Sequence, residues 1–481
     1  MTALAARGRL LIDGSWVDGA EQNDLRVVDP ATGRTLGPVG SADQAQVDLA
    51  LDAADRAFAD WSRAAAPERS GVLARAADLL AERVESAAAL LTEEQGKPLA
   101  EARGELESVV AMLRWFAGQT EDHGRRQPGG VPHHRVQVDA RPIGPVAIVT
   151  PWNFPVSLAA RKLGAALAVG CTAVVKPAPE APSAFLAVAG ALLDAGLPPG
   201  VLGVLNGDPA RITQALVASP VVRAVSFTGS TGVGREVGGL AGRHVKPTTL
   251  ELGGHAPVVV AGDVDVAAVV PPLVRAAYLN AGQVCVSPTR FLVQESVYDS
   301  FVEAFVGQVE SLRVGPGTDD GVDVGPLSLE RHRERLLGLV RRSVGAGAAL
   351  VTGGRALPGP GWFLEPTVLA GVPTDAPLMN DEPFGPVALI NSYADDGEAL
   401  AEANRLPVGL AAYVFCADEA RASRLVDRIE AGTVGVNTCS ILHVDTSLGG
   451  VRDSGHGRDG GLEGLAEFRI AHTVTRLAAP A

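Results

Sequence analysis

Apolar positions return along this chain in two rhythms. From Ala42 to Ala59, from Pro67 to Leu91 and around Leu99 to Phe116, Ala and Leu recur at helical spacing among Glu and Arg. That spacing predicts long amphipathic helices. Before them, Arg7 to Asp18 (RGRLLIDGSWVD) alternates like a first strand. Beyond Pro142 the rhythm shortens. PVAIV (Pro145 to Val149), AVVK (Ala173 to Lys176), VLGVLNG (Val201 to Gly207) and AVSFTG (Ala224 to Gly229) are compact apolar runs. Helical stretches follow at Ser157 to Ala168, at Ser183 to Ala195, up to Ala218 and after Gly229. Strand–helix repeats of this kind predict an α/β fold with a doubly wound, Rossmann-type parallel sheet. A second α/β region follows Gly253, with candidate strands at His255 to Val260, Arg290 to Val293 and Ala411 to Phe415. Leu357 to Trp362 reads as a surface loop within it. Gly124 to Arg141 differs from both regions: GRRQPGG is a polar turn and HHRVQVDAR an exposed, alternating strand. Such a hairpin needs a partner strand or subunit.

Composition narrows the function. The 481 residues allow two or three domains, and 47% hydrophobic against 20% charged residues excludes disorder as the main state. A net charge of −14 repels phosphate backbones and anionic membranes, so neither nucleic acid nor membrane is expected as a partner. Four cysteines without a C-x-x-C pair fit a reducing cytoplasm. Nine histidines without ligand spacing give no reason to expect a metal. The apolar run Leu163 to Val175 is too short to cross a bilayer, and the first residues do not read as a signal sequence.

Three segments carry candidate chemistry. Phe227 to Arg235 (FTGSTGVGR) is a glycine-rich turn between a strand and a helix, able to bring N–H groups against a pyrophosphate. A plain turn is the alternative, since the pattern is not G-x-G-x-x-G. Standard dinucleotide folds would make Glu251 a ribose ligand. In Asn280 to Cys285 (NAGQVC), Cys285 is a candidate nucleophile that needs a base, because an ordinary thiol is mostly neutral at pH 7. Cys171 and Cys416 read as structural. Thr150 to Pro155 (TPWNFP) follows a strand directly and offers Asn153 as an oxyanion donor.

Taken together with KPAPEAP (Lys176 to Pro182), LELGG (Leu250 to Gly254) and EPFGPV (Glu382 to Val387), these segments resemble the aldehyde dehydrogenase superfamily in order and spacing. The resemblance spans nearly the whole chain and is nearest to the succinate-semialdehyde branch through Ser157 to Ala178 and Gly449 to Arg458. It implies NAD or NADP as cofactor and a small aldehyde as substrate. Cys285 is then the nucleophile, Glu251 the general base and Asn153 the oxyanion donor with the Cys285 N–H. Lys162 is implied as a proton relay with Asp459, a surface lysine being the alternative. Cofactor contacts fall on Thr150, Trp152, Lys176, Pro179, Gly229, Ser230, Thr231, Leu252, Glu382 and Phe384. Arg161 is implied as the cation for a distal substrate carboxylate.

The implied domains are cofactor-binding (1–123 and 142–252), catalytic (253–445), and an oligomerisation arm with the C-terminal segment (124–141 and 446–481), in a homodimer or homotetramer. Three positions depart from the pattern. Pro179 stands where many NAD enzymes carry an acid, which leaves NADP admissible; Leu279 replaces a second arginine; His255 replaces a common lysine. Rival readings are an uncharged aliphatic or aromatic substrate, a CoA-acylating enzyme and a non-enzymatic scaffold.

Overall fold

A computed structural model describes residues 8–121, 125–128 and 134–477. Beyond Pro142 the apolar runs become the strands Val146–Val149, Ala173–Lys176, Leu202–Val204 and Ala224–Thr228, joined after one more helix by Thr248–Glu251. All five pair in parallel. The first four are buried along their whole length, which explains continuous apolar runs rather than alternation. Their spatial order places Val146–Val149 in the middle, with Ala173–Lys176 on one side and Ala224–Thr228 on the other. The winding therefore reverses between Val146–Val149 and Ala224–Thr228, and a crevice opens at their carboxyl ends.

The start of the chain corrects one expectation. Arg9–Ile12 and Ser15–Asp18 form an antiparallel hairpin rather than a single strand, and Arg7 lies outside the described residues. Asp13 and Gly14 turn it with φ of 48° and 75°, the left-handed pair that a two-residue hairpin loop requires. The helical stretch Pro67 to Leu91 is likewise two helices, Ala66–Ala81 and Val84–Gln95. No Gly or Pro marks the break; Arg83 leaves helical geometry there and pairs with Asp194 at 2.6 Å.

A second sheet runs Ala349–Thr352, Thr367–Ala370, Val387–Tyr393, Pro288–Gln294, Ala256–Val260, Ala411–Phe415 and Thr433–Val436. Only its Ala349–Thr352 edge is antiparallel. The third sheet corrects the polar-turn reading, because Arg125–Pro128 is a strand paired with His134–Pro142. Gly124 and residues 129–133 fall outside the described residues. The partner strand that the hairpin requires comes from the chain's own end: Arg469–Leu477 pairs along the whole of His134–Pro142. A second returning piece, Gly455–His456, closes the edge of the first sheet against Thr248–Glu251.

The helix Ser157–Val169 anchors the core under the crevice, with every residue after Ser157 buried. Gly164 permits this depth, since a Cβ there would stand 2.4 Å from the Phe116 ring. No helix among the described residues is long and apolar enough to cross a membrane.

Candidate active site

The crevice at the switch point is a cleft of about 750 Å³. Thr150, Trp152, Lys176, Pro179, Gly229 and Ser230 line it, all expected cofactor contacts. Ser230 caps the helix Thr231–Arg243, its Oγ accepting from Val233 N at 3.5 Å, so the positive end of that helix faces the cleft. Burial pushes Lys176 down to about 8 against the pull of Glu180 and Asp208. The buried hydroxyl of Thr150 has no partner within the protein. A largely apolar cleft with a helix N-terminus, a lysine and an unpartnered hydroxyl fits a dinucleotide.

A second cavity of about 340 Å³ adjoins the first through Pro151, Trp152, Thr228, Gly229 and Ser230. Leu252, Glu382, Phe384, Asn153 and Cys285 line it, as expected, together with His332 and Arg335, which no motif announces. The rings of Trp152, His332 and Phe384 meet edge to face with centroids 5.5–6.0 Å apart. Burial and the neighbouring Arg335 and Arg331 push His332 down to about 4, so its ring is neutral. Arg335 donates to the main-chain oxygens of Glu382 (3.0 Å) and Pro383 (3.2 Å) and so holds the Glu382–Phe384 turn. Burial pushes the Glu382 carboxyl up to about 8.

Glu251 ends the strand Thr248–Glu251 and meets Cys285 directly. The thiol donates from Sγ to Oε1 at 3.5 Å. Burial, reinforced by the negative charge of Asp459, pushes Glu251 up to about 7, with Lys162 opposing. Burial and then the charges of Glu251 and Glu382 drive the Cys285 thiol well above its usual range. The resting pair therefore holds its proton on sulfur, with a carboxyl poised to take it.

Cys285 sits behind a tight turn in which Asn280 and Ala281 adopt left-handed φ of 50° and 53°. Gly282 follows at φ +72°, where a Cβ would stand 2.1 Å from the Gly385 carbonyl oxygen. Asn153 Nδ2 donates to Gln283 O at 3.0 Å, which ties it to this turn, and Asn153 and Cys285 line the same cavity.

Other expected residues sit differently. Lys162 is fully buried and pairs with Asp459, which removes the surface-lysine alternative. Arg161 lines neither cavity. The residue is 7% exposed, and its guanidinium donates to Thr446 O at 2.9 Å and His443 O at 3.2 Å, and so fastens the loop at 443–446. Thr231 also lines neither cavity; its hydroxyl donates to Asp453 O at 3.3 Å. His255 is a buried structural residue: Nε2 donates to Leu378 O at 2.8 Å, so Nδ1 accepts from Thr289 at 2.7 Å. All four cysteines are free, and no metal-binding cluster occurs among the described residues.

Comparison with known proteins agrees with this geometry. Residues 16–474 match the aldehyde dehydrogenase family. A 4-(hydroxymethyl)benzenesulfonate dehydrogenase of Comamonas testosteroni is 45% identical over 469 residues, covering 97% of this chain and 98% of that protein. The NADP(+) succinate-semialdehyde dehydrogenase of Escherichia coli K12 is 38% identical, covering 96% of each. The crystal structure of succinate-semialdehyde dehydrogenase from Burkholderia pseudomallei superposes with a TM-score of 0.96 at 40% identity, covering 98% of each chain. Similarity of this extent, over a cleft that fits a dinucleotide and opens on a cysteine, places the chain in the aldehyde dehydrogenase family, as an oxidoreductase that uses NAD or NADP.

Proposed function

We propose that this chain oxidises an aldehyde with a distal anionic group to the carboxylic acid, through an acyl group carried on Cys285. The observation that carries the chemistry is the Cys285–Glu251 contact beside Asn153. A nicotinamide dinucleotide in the adjoining cavities supplies the hydride acceptor. Glu251 takes the thiol proton as Cys285 adds to the aldehyde carbon. Asn153 Nδ2–H and the Cys285 N–H hold the oxyanion that forms, and this charge favours loss of hydride. Once Glu251 has given up that proton it activates the water that hydrolyses the thioester, a role suited to a carboxyl that titrates near 7. The Lys162–Asp459 pair, whose charges both act on Glu251, offers the released proton a buried route. A base in contact with the nucleophile supports water rather than CoA as the acyl acceptor.

The substrate class rests on the relatives. Both curated enzymes above are named for molecules with a sulfonate or carboxylate away from the reacting carbon. Arg161 then serves by fixing the loop and by its positive field rather than by a free bidentate grip, since two of its donors hold carbonyls. An uncharged substrate is the second reading, favoured by apolar, partly exposed Leu279 where the branch carries a second arginine. The reducing setting implied by four free cysteines supports a cytoplasmic enzyme. Exposed Ile470 and Leu477 on the Arg469–Leu477 strand support a homo-oligomer built through that sheet.

The test is formation of reduced cofactor, without CoA, from matched pairs: succinate semialdehyde against butanal, and 4-formylbenzenesulfonate against benzaldehyde. The charged member of at least one pair should lead in kcat/KM by about tenfold or more, the value of a modest charge-assisted contact. Preference for the uncharged member of both pairs would establish the second reading.

A further inference from the structure

Under the turn that carries Asn153 lies an ion pair that the chemistry above does not use. Lys97 and Glu105 have side chains only 0% and 1% exposed. Lys97 Nζ donates to Glu105 Oε2 at 2.6 Å and to the main-chain oxygen of Asn153 at 3.0 Å, and it lies 3.9 Å from the centroid of the Phe154 ring. The other carboxylate oxygen, Glu105 Oε1, accepts the N–H groups of Val156 and Ser157, each at 3.0 Å. The pair thus grips the turn at both ends: the Asn153 carbonyl on one side and the first amides of the helix Ser157–Val169 on the other.

The nucleophile's turn hangs from the same segment. The Asn153 carbonyl accepts a second bond from Asn280 Nδ2 at 2.9 Å. Asn280 Oδ1 in turn accepts from Gln95 Nε2 at 2.8 Å, and Glu101 Oε2 accepts the Asn280 N–H at 2.9 Å. Residues 95–105 therefore set the height of Asn153 relative to Cys285.

A buried ion pair adds little net stability, because desolvation offsets most of its attraction. Its rigidity matters where geometry does, and an oxyanion donor loses most of its effect when displaced by about 1 Å. We propose that the Lys97–Glu105 pair is a positioning element for the oxyanion donor, clamping the main chain of Asn153 so that its side-chain N–H meets the oxygen of the reacting aldehyde. This rests on the reading of Asn153 as that donor.

The test is a cycle of three enzymes besides the parent: Lys97→Met/Glu105→Gln, Asn153→Ala, and all three changes together. The paired change removes both charges at once and keeps an acceptor for the helix amides, so neither member of the pair is left as a lone charge; Glu101, which Lys97 also attracts, then shifts further toward its neutral form. Rapid mixing with aldehyde and cofactor reads the rate of the first hydride transfer, and quenching of intrinsic fluorescence reads cofactor affinity. The paired change should slow hydride transfer by about 100-fold, the usual loss of one oxyanion donor, with cofactor affinity within about threefold of the parent. In the Asn153→Ala background it should slow the step by less than about threefold, because what it positions is gone. An unchanged rate in the paired variant overturns the proposal, as does an equal slowing in both backgrounds, which marks a merely structural pair. Weakened cofactor binding with normal hydride transfer overturns it as well. A parent-like rate in Asn153→Ala itself overturns the reading on which the proposal rests.

Discussion

Glu251 and Cys285 share one proton in a buried site, and the environment sets when that proton can move. Because burial raises the carboxyl to about 7, its base form accumulates only as pH rises through that value. The parent's kcat/KM should therefore climb across pH 6 to 8. Glu251→Gln should slow both the burst of reduced cofactor, for want of a base for the thiol, and the steady state that follows, the latter by about 100-fold or more. Normal turnover with only weakened cofactor binding would return Glu251 to the ribose-ligand role. Pro179 is the second informative residue. It lines the cleft beside Glu180, which pairs with Arg331 at 3.4 Å, so position 179 itself offers no carboxylate to a ribose. NADP should be turned over measurably, and Pro179→Glu should reduce its kcat/KM by about tenfold relative to NAD through charge repulsion. An enzyme that already rejects NADP by several orders of magnitude would place the choice elsewhere; Arg235 and Arg243, which also line the cleft, are the residues to change next.

At the scale of elements, the helix Ser157–Val169 does two jobs. Its first turn is fixed through the Glu105 contacts, and two turns past Asn153 its Arg161 fastens the loop at His443 and Thr446. Arg161→Met should therefore free that loop. Hydrogen exchange across residues 437–447 should rise, and kcat/KM should fall for charged and uncharged aldehydes alike, with a larger fall for the charged. A loss confined to the charged aldehyde, with loop exchange unchanged, would make Arg161 a direct anion receptor after all. Lys162, next along the helix, points into the core toward Asp459, as the roughly 100° step between neighbouring residues requires.

Across the whole molecule, the chain's last quarter ties the bodies together. Gly455–His456 completes the first sheet, Asp459 reaches Lys162, and Arg469–Leu477 completes the three-stranded sheet with His134–Pro142. Acid stability is a property of this scale, and His255 gives it a measurable component. Burial and the nearby Arg290 and Arg405 depress its folded pKa to about 3 from 6.5. Between those values the unfolded chain takes up a proton that the native ring refuses, so stability falls as pH drops below about 6.5. At pH 5 this amounts to about 2 kcal/mol. Glu101, Glu251 and Glu382 act in the opposite sense, because carboxyls raised by burial favour the native state as pH falls. Comparison with a variant isolates the histidine: between pH 7 and 5, His255→Gln should lose less of its urea midpoint than the parent. Equal losses would show that His255 titrates normally.

What the sequence alone determined was local. The first four parallel strands of the first sheet read as apolar runs because both of their faces are covered, and TPWNFP and NAGQVC marked Asn153 and Cys285 as candidates, while Glu251 as a base came with the family resemblance of LELGG. The hairpin at Asp13-Gly14 was missed, because alternation alone reads through that dipeptide as one strand. Only the tertiary structure decided what distance along the chain conceals. Arg161 finds Thr446 across 285 residues, and His332 and Arg335 come from a charged helix that carries no motif; the Lys162–Asp459 partnership was implied by resemblance, but its complete burial was not. The pKa of Glu251 belongs to the same class, since a carboxyl's charge state depends on how much water and which charges surround it, and those are assembled only when remote segments pack together.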